Sequence, residues 1–131
     1  MAPIDSTALR LTGKLKELDD LQPAGTYLLR VSGALRVAPI AEHVLMRDVP
    51  ATVTQGNVLA LLRLLNDTLK RFGLAQPRIA VAGLNPHAGD GGLFGDEEAK
   101  HIVPAIEQAR AEGIRAEGPF SADTVFSMMK G

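Results

Sequence analysis

A glycine-rich stretch limits what this chain can fold into more than any other feature. Residues 83–92 read Gly-Leu-Asn-Pro-His-Ala-Gly-Asp-Gly-Gly. Because proline fixes φ and glycine permits positive φ, this stretch cannot continue a regular helix or strand. The apolar run 78–82 before it predicts a short buried strand, and Glu97-Glu98 after it begins a helical pattern. The order strand, loop, helix predicts an α/β fold with a ligand site at the carboxyl end of the strand.

His87 lies in the middle of this loop and is the first candidate site residue. A neutral imidazole is the commonest metal ligand in proteins. The same residues are also compatible with a plain glycine-rich turn that carries an incidental histidine. A simple phosphate cradle is disfavoured, because carboxylates at 96–98 would repel an anion and the Gly-Lys-Ser/Thr ending of a P-loop is missing.

Composition excludes several function classes. The 131 residues fit a single domain, 1–131, and 46% of them are hydrophobic. Aromatic residues make up 4% and the net charge is −1, which argues against a nucleic-acid partner. The chain has no cysteine, which removes thiolate chemistry and is compatible with a cytoplasmic protein. We find no signal peptide and no apolar run near the roughly 18 to 20 residues of a membrane span, so no membrane association is expected.

Periodicity predicts the remaining elements. Strands at 26–31 and 35–40 form a hairpin, with Pro39 marking an edge or an end. Helix 54–72 begins at an N-capping Thr54 and stops before Gly73. Its predicted buried stripe comprises Val58, Leu61, Leu62, Leu65, Leu69 and Phe72, and its predicted outer face comprises Arg63, Asn66, Asp67 and Lys70.

Strand 35–40, helix 54–72 and strand 78–82 are interpreted as a βαβ unit. A weaker helix is predicted at 6–21, and a second clear one runs from 95 or 96 to 111, with Pro104 kinking it or displacing its start. A short strand at 114–117, a loop at 118–124 and a short helix at 125–130 complete the chain.

Two further histidines are considered. His43 lies just past the predicted strand 35–40, where ligand groups collect in α/β proteins, although a surface-loop histidine is the simpler interpretation. His101 lies within the second helix and is interpreted as exposed rather than as a ligand.

Several separate motifs occur in the order found in one enzyme family. They are His43, Leu45-x-Arg47-Asp48-Val49, the loop sequence from Leu84 to Gly92, Gly95-x-Glu97-Glu98, and Gly118-Pro119-x-x-Ala122-Asp123-Thr124-x-Phe126. Over residues 26–126 the chain therefore resembles the 4-hydroxythreonine-4-phosphate dehydrogenase family of pyridoxal phosphate biosynthesis. The resemblance extends to relatives in that family that act on other hydroxy acids or cyclic diols.

The resemblance implies a βαβ-type layered fold that is part of an isocitrate/isopropylmalate-dehydrogenase-like architecture, with residues 1–131 as its central part. It also implies a homodimer that oxidises the secondary alcohol of a small molecule with NAD and a divalent metal (Zn, Mg or Co), after which the β-keto acid decarboxylates. By the same resemblance His43 and His87 match the first two of three metal histidines. Asp123 matches an aspartate near the metal and the substrate, and is the expected catalytic residue.

The chain departs from the family pattern in three places. The third metal histidine, in a Tyr-His-Asp-Gln-Gly motif, is expected shortly after Gly131, and the N-terminal nucleotide-fold half is missing. A Gly-His-Thr-Glu segment is expected between residues 13 and 21, where this sequence has neither His nor Thr. We therefore expect a fragment or truncated relative of the dehydrogenase that cannot turn over substrate alone. The alternative is a non-catalytic remnant or dimerisation module of the family.

Overall fold

The computed structural model describes residues 25–129. The predicted helix 6–21, the segment 13–21 and the last residue of the predicted helix 125–130 lie outside this range. Within it, no helix combines the length and the apolar character needed to cross a membrane.

Eight helices and strands follow one another along the described residues. In chain order they are β1 (Arg30–Ser32), β2 (Leu35–Val37), α1 (Val49–Thr52), α2 (Gln55–Arg71), β3 (Arg78–Ala82), α3 (Val103–Ala111), β4 (Arg115–Phe120) and α4 (Val125–Met128). Helical turns of other types occupy Met46–Asp48, Pro86–Gly92 and Glu98–Ile102.

The predicted hairpin is confirmed, with shorter strands. β1 and β2 pair antiparallel, with Arg30 opposite Val37 and a turn at Gly33-Ala34. β2 ends two residues before Pro39, whose missing N–H removes a donor from any further ladder.

The α/β class is confirmed, but the predicted βαβ unit was assigned to the wrong strands. β2 pairs with β1 alone among the described residues, in a sheet of its own. β3 instead pairs parallel with β4, and α3 lies between them in the chain. β4, with six residues, is longer than the three-residue β2, and its parallel ladder pairs with four of the five residues of β3.

The hydrophobic core lies between α2, α3 and the β3–β4 pair. Its fully buried members are Val53, Val58, Leu59, Leu62, Ile79, Ile102, Ala105, Ile106, Ala109, Ile114 and Ala116. Ala105 and Ala109 on α3 and Ala116 on β4 are at most 1% exposed, and their small side chains let the helix approach the sheet closely.

α2 has the predicted ends but a rotated buried face. The hydroxyl of Thr54 accepts a hydrogen bond from the N–H of Asn57 at 3.1 Å, and Gly73 has a φ of +96° just past the helix. Two predictions on the face were wrong, because Phe72 is 62% exposed and Asn66 is only 6% exposed. The helix ends at Arg71, so Phe72 turns away, whereas Asn66 follows Leu62 by one turn on the buried face.

Pro104 changes the type of helix rather than breaking it. A π-helical turn at Glu98–Ile102 runs directly into α3, in which Pro104 occupies the first turn. The N–H of Val103 donates to the carbonyl of Glu98, five residues back. The wider turn accommodates a proline that has no N–H to donate. The helical path begins where predicted, because the carbonyl of Asp96 accepts a hydrogen bond from the N–H of Lys100 at 2.9 Å, and the π turn follows directly.

β4 extends beyond its predicted end. The expected loop at 118–124 begins later, because the strand continues to Phe120 through a cis Gly118–Pro119 peptide. Between the pairs Ala80–Glu117 and Ala82–Phe120, β4 carries one extra residue. Gly118 has a φ of +133°, and a Cβ atom there would lie 2.5 Å from the carbonyl oxygen of Val81. Only glycine fits this point of the parallel pair.

We predict that Gly118→Ala lowers the free energy of unfolding by more than about 1 kcal/mol, since the added methyl group meets backbone at an unfavourable φ. The control is Gly56→Ala on α2, where nothing lies within 4 Å of the new Cβ and φ is ordinary. That variant is expected to gain about 0.4–1 kcal/mol, because it reduces the entropy of the unfolded chain. Urea unfolding measures both. Changes of the same sign would contradict this account of Gly118.

Candidate functional site

Two of the predicted site residues lie in loops at the same edge of the β3–β4 pair. His87 follows the carboxyl end of β3, and Asp123 follows the carboxyl end of β4. Because the strands are parallel, both carboxyl ends face the same side of the sheet. The N–H of Gly83 donates to the carbonyl of Phe120 at 2.8 Å, so the two loops begin side by side.

The His87 loop has an unusual backbone. Five consecutive residues, 87–91, all have left-handed dihedral angles, with φ between 43° and 84°. Three of them, His87, Ala88 and Asp90, are not glycine. We call residues 87–91 the left-handed turn. Such a conformation costs an L-residue about 1–2 kcal/mol, so the surroundings must hold it in place.

Glu98 is the buried centre around which this turn is built. Its carboxylate is 4% exposed, and it accepts hydrogen bonds from the N–H of Asn85 at 2.7 Å and from Asn85 Nδ2 at 2.9 Å. Asn85 Nδ2 also donates to Glu97 Oε2 at 2.7 Å. We call Asn85, Glu97 and Glu98 the carboxylate bracket. A Cβ atom at Gly89 would lie 2.9 Å from Glu98 Oε2, so the turn passes directly over this carboxylate.

Two opposing effects act on the pKa of Glu98. Burial raises the pKa, but hydrogen bonds outweigh burial, first those from the side chain and the backbone of Asn85 and then those from the backbone at Glu98 and Leu84. The pKa therefore lies below the ordinary value for glutamate. The buried carboxylate is therefore ionised at neutral pH. Its charge strengthens each hydrogen bond that it accepts.

His43 lies on the segment between β2 and the turn at Met46–Asp48. Its φ is +57°, which is left-handed like that of His87, and its side chain is exposed. Ile40 and Val49, on either side of it, pack against the core. Both histidines thus occupy uncommon backbone conformations, which cluster at functional sites.

The three predicted site residues carry suitable donors for a divalent metal, although the structure does not assemble them into a metal centre. Neither the imidazole of His43 nor that of His87 makes a hydrogen bond within residues 25–129, and the ring of His87 lies 6.4 Å from that of Phe94. Asp123 is exposed, and its Oδ1 accepts a hydrogen bond from Ser121 Oγ at 2.6 Å. Among the described residues no three His, Asp or Glu side chains lie close enough to hold an ion.

Sequence reasoning missed the structural importance of the carboxylate bracket and misjudged His101. From the sequence, Glu98 begins a helical pattern and carries a charge that disfavours a phosphate cradle. It nevertheless lies one helical turn from the buried Ile102, and that spacing is the signal that could have placed it inside. His101 is half-buried on the π turn rather than exposed.

The bracket predicts a pH dependence of stability. The pKa of Glu98 is lower in the folded protein than its ordinary value of 4.5. The ionised carboxylate therefore makes its full contribution to the free energy of unfolding above pH 4.5, and this contribution is lost as the pH falls through the pKa of the folded protein. We expect the excess stability of the wild type over Glu98→Gln, measured by urea unfolding from pH 7 to pH 3, to shrink below about pH 4.5. The exposed Glu107 on α3 supplies the control, Glu107→Gln. An excess that does not change with pH would contradict this assignment.

Comparison with known proteins agrees with this arrangement of motifs. The family model for the pyridoxal phosphate biosynthetic protein PdxA matches residues 2–131. The 4-hydroxythreonine-4-phosphate dehydrogenase of Desulforapulum autotrophicum is 44% identical over 131 residues, covering 95% of this chain and 38% of that protein. The enzyme of the same name from Geobacter metallireducens is 45% identical, with 95% of this chain and 39% of the relative covered.

Solved structures give the same result. The 4-hydroxythreonine-4-phosphate dehydrogenase of Klebsiella pneumoniae superposes with a TM-score of 0.78 at 37% identity, covering 97% of this chain and 40% of the other. A terephthalate 1,2-cis-dihydrodioldehydrogenase from Burkholderia xenovorans gives a TM-score of 0.74 at 33% identity, with 77% and 33% covered. The chain spans about two fifths of the length of the curated relatives quoted. It belongs to the PdxA family of pyridoxal phosphate biosynthetic proteins.

Proposed function

We propose that this chain is the central, metal-binding part of a metal- and NAD-dependent dehydrogenase. Its substrate would be 4-phosphohydroxy-L-threonine or a related hydroxy acid, which is oxidised at a secondary alcohol and then decarboxylated. Family membership and the printed names of the relatives support the reaction class. The cis-dihydrodiol named for the Burkholderia xenovorans protein supports a wider substrate class of vicinal or β-hydroxy compounds.

One observation carries this proposal. Loops that follow two adjacent parallel strands bring His87 and Asp123 to one edge of the sheet, and both are exposed there. Ligands of α/β proteins bind at this edge. A glycine-rich turn that served only to reverse the chain would not need three non-glycine residues in left-handed conformations.

The roles of the residues follow from their chemistry. His43 and His87 would each donate one imidazole nitrogen to a divalent cation, which when bound lowers the pKa of an alcohol and stabilises negative charge on oxygen. Two imidazoles leave coordination positions for the substrate and for a further ligand. Asp123 would accept the proton of the substrate hydroxyl, while the hydroxyl of Ser121 orients its carboxylate through Oδ1.

The alternative function is a non-catalytic remnant or dimerisation module. Exposed apolar side chains a few positions after each histidine in the sequence favour an interface, since Met46 is 85% exposed and Leu93 is 73% exposed. A second copy of the chain would cover them, as in a homodimer. This surface is compatible with the metal site, so only metal binding separates the two proposals.

We expect Zn²⁺ titration by calorimetry to give a 1:1 complex with the purified chain. His43→Ala and His87→Ala should each weaken the Kd by more than about 10-fold, the smallest loss usual for a mere outer-shell partner. The third histidine of the chain provides the control, because His101→Ala should leave the Kd unchanged. A zinc Kd that neither His43→Ala nor His87→Ala changes, together with self-association in sedimentation velocity, would favour the non-catalytic remnant or dimerisation module.

A further inference from the structure

The backbone conformation of the left-handed turn must be stabilised by residues outside the turn. Within it, the N–H of Phe94 donates to the carbonyl of Gly89 at 3.1 Å, and the N–H of Leu93 donates to that of Asp90 at a weak 3.4 Å. The N–H of Ala88 donates to the carbonyl of Asn85 at 3.1 Å. Each of these neutral hydrogen bonds contributes about 0.5–1.5 kcal/mol, which is no more than the cost of about one non-glycine residue at positive φ.

The carboxylate bracket supplies what these bonds lack. Glu98 accepts two hydrogen bonds from Asn85, the residue two positions before His87, and its charge makes them stronger than neutral bonds. The bracket also fixes the other side of the turn, because Gly89 lies against Glu98 Oε2 and a Cβ at Gly83 would lie 3.1 Å from Glu98 Oε1. Glu98 itself is fixed at the start of the π turn, whose Ile102 is buried in the core.

His87 depends on this bracket for its place. Its side chain is exposed and has no hydrogen bond within the described part of the chain, so only the backbone and the ring of Phe94, 6.4 Å away, locate the imidazole. A histidine that binds a metal through one ring nitrogen is usually oriented by a hydrogen bond that its other ring nitrogen donates. Where no such partner is present, the backbone that carries the ligand must itself be rigid.

We propose that Glu98 is a positioning residue for His87. Its buried carboxylate, acting through Asn85, holds the left-handed turn closed and so fixes the imidazole before a metal arrives. The proposal rests on the proposed function in taking His87 as a metal ligand. It assigns Glu98 to ligand geometry and not to contact with metal or substrate, because Glu98 is buried beneath the turn.

The test is a double-mutant cycle on Zn²⁺ affinity at pH 7, with global stability measured separately by urea unfolding. Glu98→Gln keeps the shape of the side chain but removes its charge, and we expect it to weaken the Kd about 10- to 100-fold, the usual loss for an outer-shell partner. In the His87→Ala background the same substitution should cause no further loss, because it acts through His87. The matched control Glu107→Gln should leave the Kd unchanged in both backgrounds.

A second readout reports the turn directly. In Glu98→Gln the backbone ¹³C chemical shifts of Ala88 and Asp90 should move away from left-handed values while those of α2 stay fixed. Asn85→Ala keeps the backbone N–H donor and removes only the side-chain amide, so it should weaken the Kd less than Glu98→Gln. If Glu98→Gln fails to fold, Asn85→Ala takes its place in the cycle.

The outcomes separate the two proposals. Unchanged zinc affinity and unchanged shifts in Glu98→Gln would overturn the positioning role while leaving the metal site standing. An additive loss in the His87→Ala background would also overturn it, since Glu98 would then act elsewhere. A zinc Kd that is the same in His87→Ala as in the wild type would overturn the proposed function instead. The chemical shifts alone would then decide whether Glu98 holds the turn.

Discussion

A single ionised carboxylate, buried between a helix and a loop, is the interaction on which the candidate site depends. An unpaired charge in that place would be costly, and Glu98 avoids the cost by accepting hydrogen bonds from both the backbone and the side chain of Asn85. The arrangement needs a charge at Glu98 and donors at Asn85 together, because either one alone leaves a buried polar group unsatisfied. The two residues are thirteen positions apart, so the loop and the helix can only form their final shapes together.

The parallel pair β3–β4 is what turns this local structure into a site. Parallel strands need a long crossover connection, and here that connection contains the left-handed turn, the π turn and α3. The crossover therefore supplies both the helix that packs on the sheet and the loop that carries His87. Gly118 keeps the pair closed at the same end, since any side chain there would meet the carbonyl of Val81.

The chain belongs to the PdxA family, and the quoted relatives are longer than the chain. The relatives are two and a half times as long, and they match this chain across almost all of its residues. The uncommon backbone at His43 and His87 is an observation independent of sequence similarity, and such conformations cluster at functional sites.

The sequence by itself determined the α/β class, the hairpin, the capped α2, the glycine-rich loop after β3 and the loop positions of His43, His87 and Asp123. These follow from rules that act between near neighbours, such as periodicity, capping and the preferences of glycine and proline. Only the tertiary structure decided that β3 pairs with β4, that Asn66 faces inward and Phe72 outward, and that Glu98 closes the turn over Asn85. Strand partners and buried charges are selected by contacts between residues far apart in the chain, and a single sequence does not record those contacts.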